Sequence, residues 1–287
     1  MASLRKLTRR INSVTNTMQI TGAMKMVSTA KLQKAQRLIG STRSYSETLD
    51  SMISQIATRR EIISHPLLEK SNGSKTLYIL ITSDRGLCGG FNSNISKEAL
   101  KYYNELEDKS SLDFIIVGKK AKEYMSARDI PIFKSYIGFF DKLSISYAEQ
   151  INDDIVDLYL SGKYSNVVIK YNKFKSMLVQ DITLEDFLPI NELEVEDNEN
   201  RPDFTYDGDE IEMIKTLLTE SLKLKIWKIL LESYSSEQAA RRNAMESATD
   251  NAEEIVGKLT IQKNRIRQAI ITTEINEIVS GAEALKA

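Results

Sequence analysis

The segment TSDRGLCGGFNSN, residues 82–94, holds the residue types best suited to chemistry: a carboxylate, a guanidinium, a thiol and a cluster of glycines. A glycine-rich turn after an apolar strand is a frequent seat for nucleotide phosphates, because backbone N–H groups can approach the ligand closely. Gly86, Gly89 and Gly90 do not fall at the G-x-G-x-x-G spacing, and no G-x-x-x-x-G-K-[ST] run occurs in the chain. Cys88 has no neighbouring histidine or second cysteine to activate it as a nucleophile. The favoured reading is a tight, packed strand-to-helix turn with Asp84 and Arg85 at the surface. A nucleotide-dependent enzyme built on residues 75–188 is the runner-up, and tight binding of ATP or NAD would revive it.

The second candidate is electrostatic. Residues 1–43 contain nine Lys or Arg, among them Arg9, Arg10, Lys31 and Lys34, and no Asp or Glu. Such a run on a helix is suited to a long acidic partner surface. Duplex DNA is one such partner, but the basic groups alternate with seam residues and lack accompanying base-reading Asn, Gln or aromatic side chains. An acidic protein collar fits at least as well, and no nucleic acid is expected. Near the other end, KNRIRQAIITTEINEIV (263–279) sets Arg267, Gln268 and Thr272 on a thin helix suited to gripping a loop.

The chain as a whole has 287 residues, 28% of them charged, with a formal net charge of −1. One cysteine and one histidine, Cys88 and His65, argue against a disulfide framework, a thiolate or histidine metal centre, and a Ser-His-Asp arrangement. No catalytic residue, cofactor or metal is expected. Residues 1–20 carry four basic groups but no apolar run of a secretory leader, and no stretch of about 18 apolar residues could cross a bilayer. The expectation is a chain that is cytosolic or attached to something that is not.

Three stretches of different period would position these groups. From residue 4, Leu4, Leu7, Ile11, Val14, Met18, Thr21, Lys25, Ser28, Leu32, Ala35 and Ile39 recur at alternating steps of three and four, the coiled-coil pattern. A helix from about residue 3 to 58 would be roughly 80 Å long. Thr21, Lys25 and Ser28 interrupt the apolar line, so pairing there is expected to weaken or open toward another partner. Gly22 either allows close backbone approach or is simply tolerated. In the middle, KTLYILITSD (75–84), LDFIIVG (112–118), NVVIKYNKF (166–174) and SMLVQDITLED (176–186) alternate with helical segments. This predicts a mostly parallel sheet with an antiparallel hairpin at one edge. An acidic connection holding Pro189 and Pro202 follows. A second helix is predicted from Asp209 to about Ser280, closed by Gly281, with Leu218, Leu222, Ile226, Ile229, Leu230, Ile255, Leu259 and Ile266 on its apolar side. The fold class is therefore α/β, a long antiparallel coiled coil of the terminal helices with an inserted Rossmann-like domain. Its parts are residues 1–60, 75–188, 189–208 and 209–287.

MASLRKLTRRINSVTNTMQITGAMKMVSTAKLQKAQ, ITSDRGLCGGFNSNI and EQAARRNAMESATDNAEEIVGKLTIQKNRIRQAIITTEINEIVSGAEAL together resemble the gamma chain of the rotary F-type ATP synthase, bacterial type. The resemblance runs over essentially the whole chain. It implies a central stalk whose paired terminal helices pass through an alpha3–beta3 catalytic head. The α/β domain would sit near an epsilon chain and a ring of c chains, at the cytoplasmic face of a membrane that it meets only through the complex. By the same resemblance Met24, Arg267, Gln268 and Thr272 contact the catalytic head. Arg9, Arg10, Lys31 and Lys34 form a basic shaft face that tracks acidic lever segments. Phe204, Tyr206 and Gly208 fall in the foot that approaches the ring. Gln19 and Gly22 stand where family members commonly carry lysines, which weakens the charge around Met24. The dithiol insertion of chloroplast forms is absent.

Overall fold

The computed structural model describes residues 2–58, 65–141, 144–190 and 210–284. The chain divides into two compact units, one made from Met1–Ser28 with Arg242–Ala287, the other from Thr29–Arg241. Helices α1 (Ala2–Thr58) and α5 (Glu210–Ala284) each contribute to both.

In the first unit, α1 and α5 pack antiparallel along the predicted seam. Leu4, Leu7, Ile11, Val14 and Met18 are half-buried, and Thr21 and Ser28 are buried. The α5 side of the seam is Met245, Thr249, Ala252, Val256, Leu259, Lys263, Ile266 and Ile270, again at steps of three and four. Ile255, read from sequence as a seam residue, lies off it and is exposed; Val256 takes the position. The polar interruption does not open the pair. The Thr21 and Thr249 hydroxyls lie 2.8 Å apart, and Lys25 Nζ donates to Glu246 Oε1 at 2.8 Å, so polar groups bond across the seam where apolar ones are missing. Gly22 has no neighbour within 4 Å of where a Cβ would stand, so it is tolerated and serves no close approach. Pairing covers less of α5 than the sequence reading supposed. Every residue from 271 to 282 is exposed. The helix also runs through Gly281 to Ala284 and does not close there.

The second unit holds a five-stranded sheet in the order β3-β2-β1-β4-β5. Strands β1 (Lys75–Ile81), β2 (Leu112–Val117), β3 (Lys134–Tyr136) and β4 (Tyr164–Phe174) are parallel, and β5 (Gln180–Leu188) returns antiparallel to β4. The short β3 was not marked in the sequence; three residues ending in Tyr136 carry too little pattern. Helices α2 (Phe91–Glu105), α3 (Lys119–Ser126) and α4 (Ile145–Leu160) make the crossovers. Alternation along β1 explains the two-sided core. Tyr78 and Leu80 join Phe114 and Ile116 against Ile95 and Ala99 of α2 and Met125 of α3. Leu77, Ile79 and Ile81 point the other way, with Ile115 and Ile169, onto Ile151 and Ile155 of α4 and Leu222, Ile226 and Trp227 of α5. Strands covered on both faces read as continuous apolar runs, which is how β1 and β2 read.

Candidate functional site

The order of the sheet reverses beside β1, and the carboxyl ends of the strands at such a switch point are where open α/β folds bind ligands. The loop after β1 occupies that place, and Thr82, Ser83 and Asp84 at its start bond within the protein. The first-turn amides of α3, the groups that would hold a phosphate, are taken. Lys119 N donates to Asp84 Oδ1 at 2.9 Å, Lys120 N to the Ser83 carbonyl at 3.1 Å, and Ala121 N to Thr82 Oγ1 at 3.0 Å. Asn92 Oδ1 accepts from Ser83 N at 2.9 Å, tying the loop to the start of α2. Gly118, at φ +105°, lets β2's end pass so near Thr82 that a Cβ would stand 2.1 Å from its carbonyl oxygen.

The other edge of the loop presents carbonyl oxygens. Arg241 of α5 donates through Nη2 to the Gly86 carbonyl at 3.1 Å and the Arg85 carbonyl at 3.4 Å, and through Nη1 to Glu237 Oε1 at 2.6 Å. Both charged side chains are more than nine-tenths buried. Burial pushes the Glu237 carboxyl above its usual range, and Arg241 pulls it part of the way back. A cradle that offers carbonyls to a guanidinium has the polarity opposite to a phosphate cradle. Cys88 lies beneath, buried, its thiol pushed up by burial. The packed-turn reading of residues 82–94 describes this arrangement except at Asp84, which is half-buried and holds backbone amides instead of lying at the surface. The missed partner is Arg241, whose only sequence signal was a charged residue on the apolar course of α5.

The helix pair offers a different kind of site. Met24 is half-buried at the margin of the seam, while Arg9, Arg10 and Lys34 are exposed and Lys31 is half-buried. On α5, Arg267, Gln268 and Thr272 are exposed; Thr272 Oγ1 donates to the Gln268 carbonyl one turn before it, at 3.0 Å. Phe204, Tyr206 and Gly208 lie outside the described residues. Sequence reasoning missed a second apolar class, side chains left in water. On α1 these are Ile20, Met26 and Val27; on α5 they are Ile271, Ile275, Ile278 and Val279, with Met26 at 68% exposure and Ile278 at 71%. They sit off the seam, so a heptad reading passes over them.

The sequence profile of the family described as ATP synthase matches residues 3–285. The ATP synthase gamma chain of Geotalea uraniireducens is 42% identical over all 287 residues and the full length of both chains, and that of Prosthecochloris aestuarii is 40% identical over 100% of this chain and 99% of its own. The chain belongs to the ATP synthase gamma-chain family. Among solved structures, a chain of the Euglena gracilis mitochondrial ATP synthase, described as OSCP/F1/c-ring, aligns with a TM-score of 0.65 at 19% identity, covering 99% of this chain and 95% of its own. A chain from the Tetrahymena thermophila mitochondrial central stalk and c-ring aligns at 0.61 with 23% identity, covering 80% of this chain and 99% of its own. These two share the fold. Among the described residues of this gamma-family chain, no helix is long and apolar enough to cross a membrane.

Proposed function

We infer that this chain is the central shaft of a rotary ATP synthase, coupling ion flow through a membrane ring to ATP synthesis or hydrolysis in an alpha3–beta3 head. The observation that carries this is the exposed apolar side chains of the helix pair. Ile20, Met26 and Val27, and the stripe from Ile271 to Val279, leave in water a surface that a monomer has no reason to keep and a surrounding protein would cover. Full-length kinship with gamma chains supplies the identity of that surround. The basic residues Arg9, Arg10, Lys31 and Lys34 attract acidic segments of the head over a distance, without fixing one angle. Met24, Arg267, Gln268 and Thr272 make the closer contacts. Phe204, Tyr206 and Gly208 belong to the foot that meets the ring of c chains, beside the epsilon chain. The chain reaches the membrane through those partners, on its cytoplasmic face. It contributes asymmetry, and the catalytic groups belong to the head.

The test is reconstitution of a complex lacking this chain, with ATP hydrolysis and ion pumping read together. Adding the chain should restore pumping coupled to hydrolysis, and full coupling without it would refute the assignment. Within that assay Arg267→Ala and Gln268→Ala should change turnover or coupling while nucleotide binding persists. If both leave rate, coupling and the rotor pause unchanged, the contact role of these residues is wrong although the shaft role stands.

A further inference from the structure

We propose that Arg241 and Glu237 form a clamp that fixes the register of shaft helix α5 on the α/β domain, so that the two turn together; this rests on the shaft reading above. The Arg241 guanidinium gathers three acceptors: the Glu237 carboxylate at 2.6 Å on its own helix, and the Gly86 and Arg85 carbonyls at 3.1 and 3.4 Å on the loop. That loop is itself anchored to the domain on two sides. Asp84 accepts from Lys119 N at 2.9 Å and Phe140 N at 3.4 Å, and Ser83 bonds Asn92 of α2. A force on the sheet therefore reaches α5 through a continuous run of directional bonds that ends at Arg241.

Glu232 of α5 also shares a hydrogen bond with Tyr171 of β4, one bond against the three gathered by Arg241. Most of the remaining contact is of another kind. Leu222, Ile226, Trp227 and Ile229 adhere to the sheet by apolar packing, which resists separation more than sliding. Ser233, Ser235 and Ser236 are buried with no hydrogen-bond partner, so this length of α5 gains no register from them. Lys225 bonds Glu185 Oε1 at 3.0 Å and the Asp186 carbonyl at 3.2 Å, but its side chain is 36% exposed and water competes for it. A planar guanidinium with two forked donor edges, withdrawn from water, holds angle as well as distance. Arg241 is a positioning residue: it touches no substrate.

Cys88, the chain's one cysteine, is buried under this loop, with Asn92 Nδ2 3.2 Å from its sulfur. Its thiol-labelling rate in the folded, full-length chain therefore reports how often the loop lifts. The double variant Arg241→Met with Glu237→Met removes the clamp without stranding a buried charge. It should label about tenfold faster than the parent, since charge-assisted bonds to the loop are gone. Arg241→Lys, which keeps the charge but loses the fork, should give an intermediate rate and serves if the double variant does not fold. In the reconstituted complex, each variant should hydrolyse ATP at about the parental rate but pump fewer ions per ATP, with Arg241→Lys less impaired. Labelling at the parental rate in the folded variants would overturn the clamp, and so would faster labelling with an unchanged pumping ratio. A merely structural role predicts the latter. Failure of the parent chain to restore coupled pumping would instead refute the shaft reading.

Discussion

Tyr78, Leu80, Phe114 and Ile116 in the sheet are wholly buried, whereas Leu4, Leu7, Ile11, Val14 and Met18 in the helix pair are only half-buried. The difference follows from geometry. A sheet with helices on both faces has an interior, and a side chain on either face meets protein all round. Two helices share one seam, and although Thr21 and Ser28 are buried in it, the seam residues from Leu4 to Met18 keep a flank open to whatever surrounds the pair. The sheet thus completes its burial within the chain, while the helix pair leaves part of its own open. In the sheet polar groups are spent internally, as around Asp84; in the pair Arg9, Arg10, Arg267 and Gln268 remain available.

The sharpest way to break this comparison is to empty one position in each region. Phe114→Ala should cost about 3–5 kcal/mol of unfolding free energy, because the surrounding helices cannot collapse into the space. Ile11→Ala, at a half-buried seam site, should cost roughly 1 kcal/mol, most of it lost transfer energy. Denaturant midpoints of the two variants measure both, and equal losses would mean that the seam is as closed as the core.

The glycines give a second contrast, of opposite sign. Gly118→Ala forces a side chain onto φ +105° and against the Thr82 carbonyl, and should destabilise by about 1–3 kcal/mol or more. Gly22→Ala meets nothing within 4 Å and should stabilise by about 1 kcal/mol, the usual gain in a helix interior. Thermal unfolding separates the two, and destabilisation by Gly22→Ala would show that α1 needs the glycine.

The comparison also explains what the sequence could show. The heptad run from Leu4 to Ile39 and the uninterrupted strands 75–81 and 112–117 were legible because each rests on a local period. Ile255 was misplaced because several apolar residues share that part of α5, and only the partner helix decides that Val256 faces inward. The cross-seam pairs Thr21–Thr249 and Lys25–Glu246 join residues more than two hundred positions apart, so no local pattern announces them. Arg241 was silent for the same reason, since two of its three acceptors lie on the distant loop after β1. The exposed apolar residues from Ile271 to Val279 went unread because they sit off the line of three-and-four steps.

A smaller effect tests the polar part of the seam. Replacing Thr21 and Thr249 together by valine deletes a hydrogen bond along with both of its partners, so no polar atom is stranded. The change in stability should lie within about 1 kcal/mol of zero. Either valine alone should be the worse variant, because it leaves the opposite hydroxyl without its cross-seam partner. A double-mutant cycle on the unfolding free energy reads this coupling, and a coupling near zero would mean that each hydroxyl is satisfied by its own helix, at the Met18 and Met245 carbonyls.

The smallest effect on stability is expected from the basic groups, and it bears most directly on why the helix pair is built as it is. Arg9, Arg10 and Lys34 are exposed. Lys31 differs, being half-buried with its charge acting on Glu237, so it is left out of this combination. Arg9→Gln, Arg10→Gln and Lys34→Gln combined should therefore shift the unfolding free energy of the isolated chain by no more than about 0.5 kcal/mol, as surface substitutions do. Association with the catalytic head is another matter. Three fewer charges should weaken the long-range attraction and flatten the dependence of assembly on salt, because the screened part of the interaction shrinks. Titrating assembly against ionic strength for parent and variant distinguishes the outcomes. An unchanged salt slope would show that these side chains face solvent in the complex. Unfolding of the isolated variant would show that charge holds the helix pair together, and the division between a sheet buried within the chain and a pair left partly open would then need a different cause.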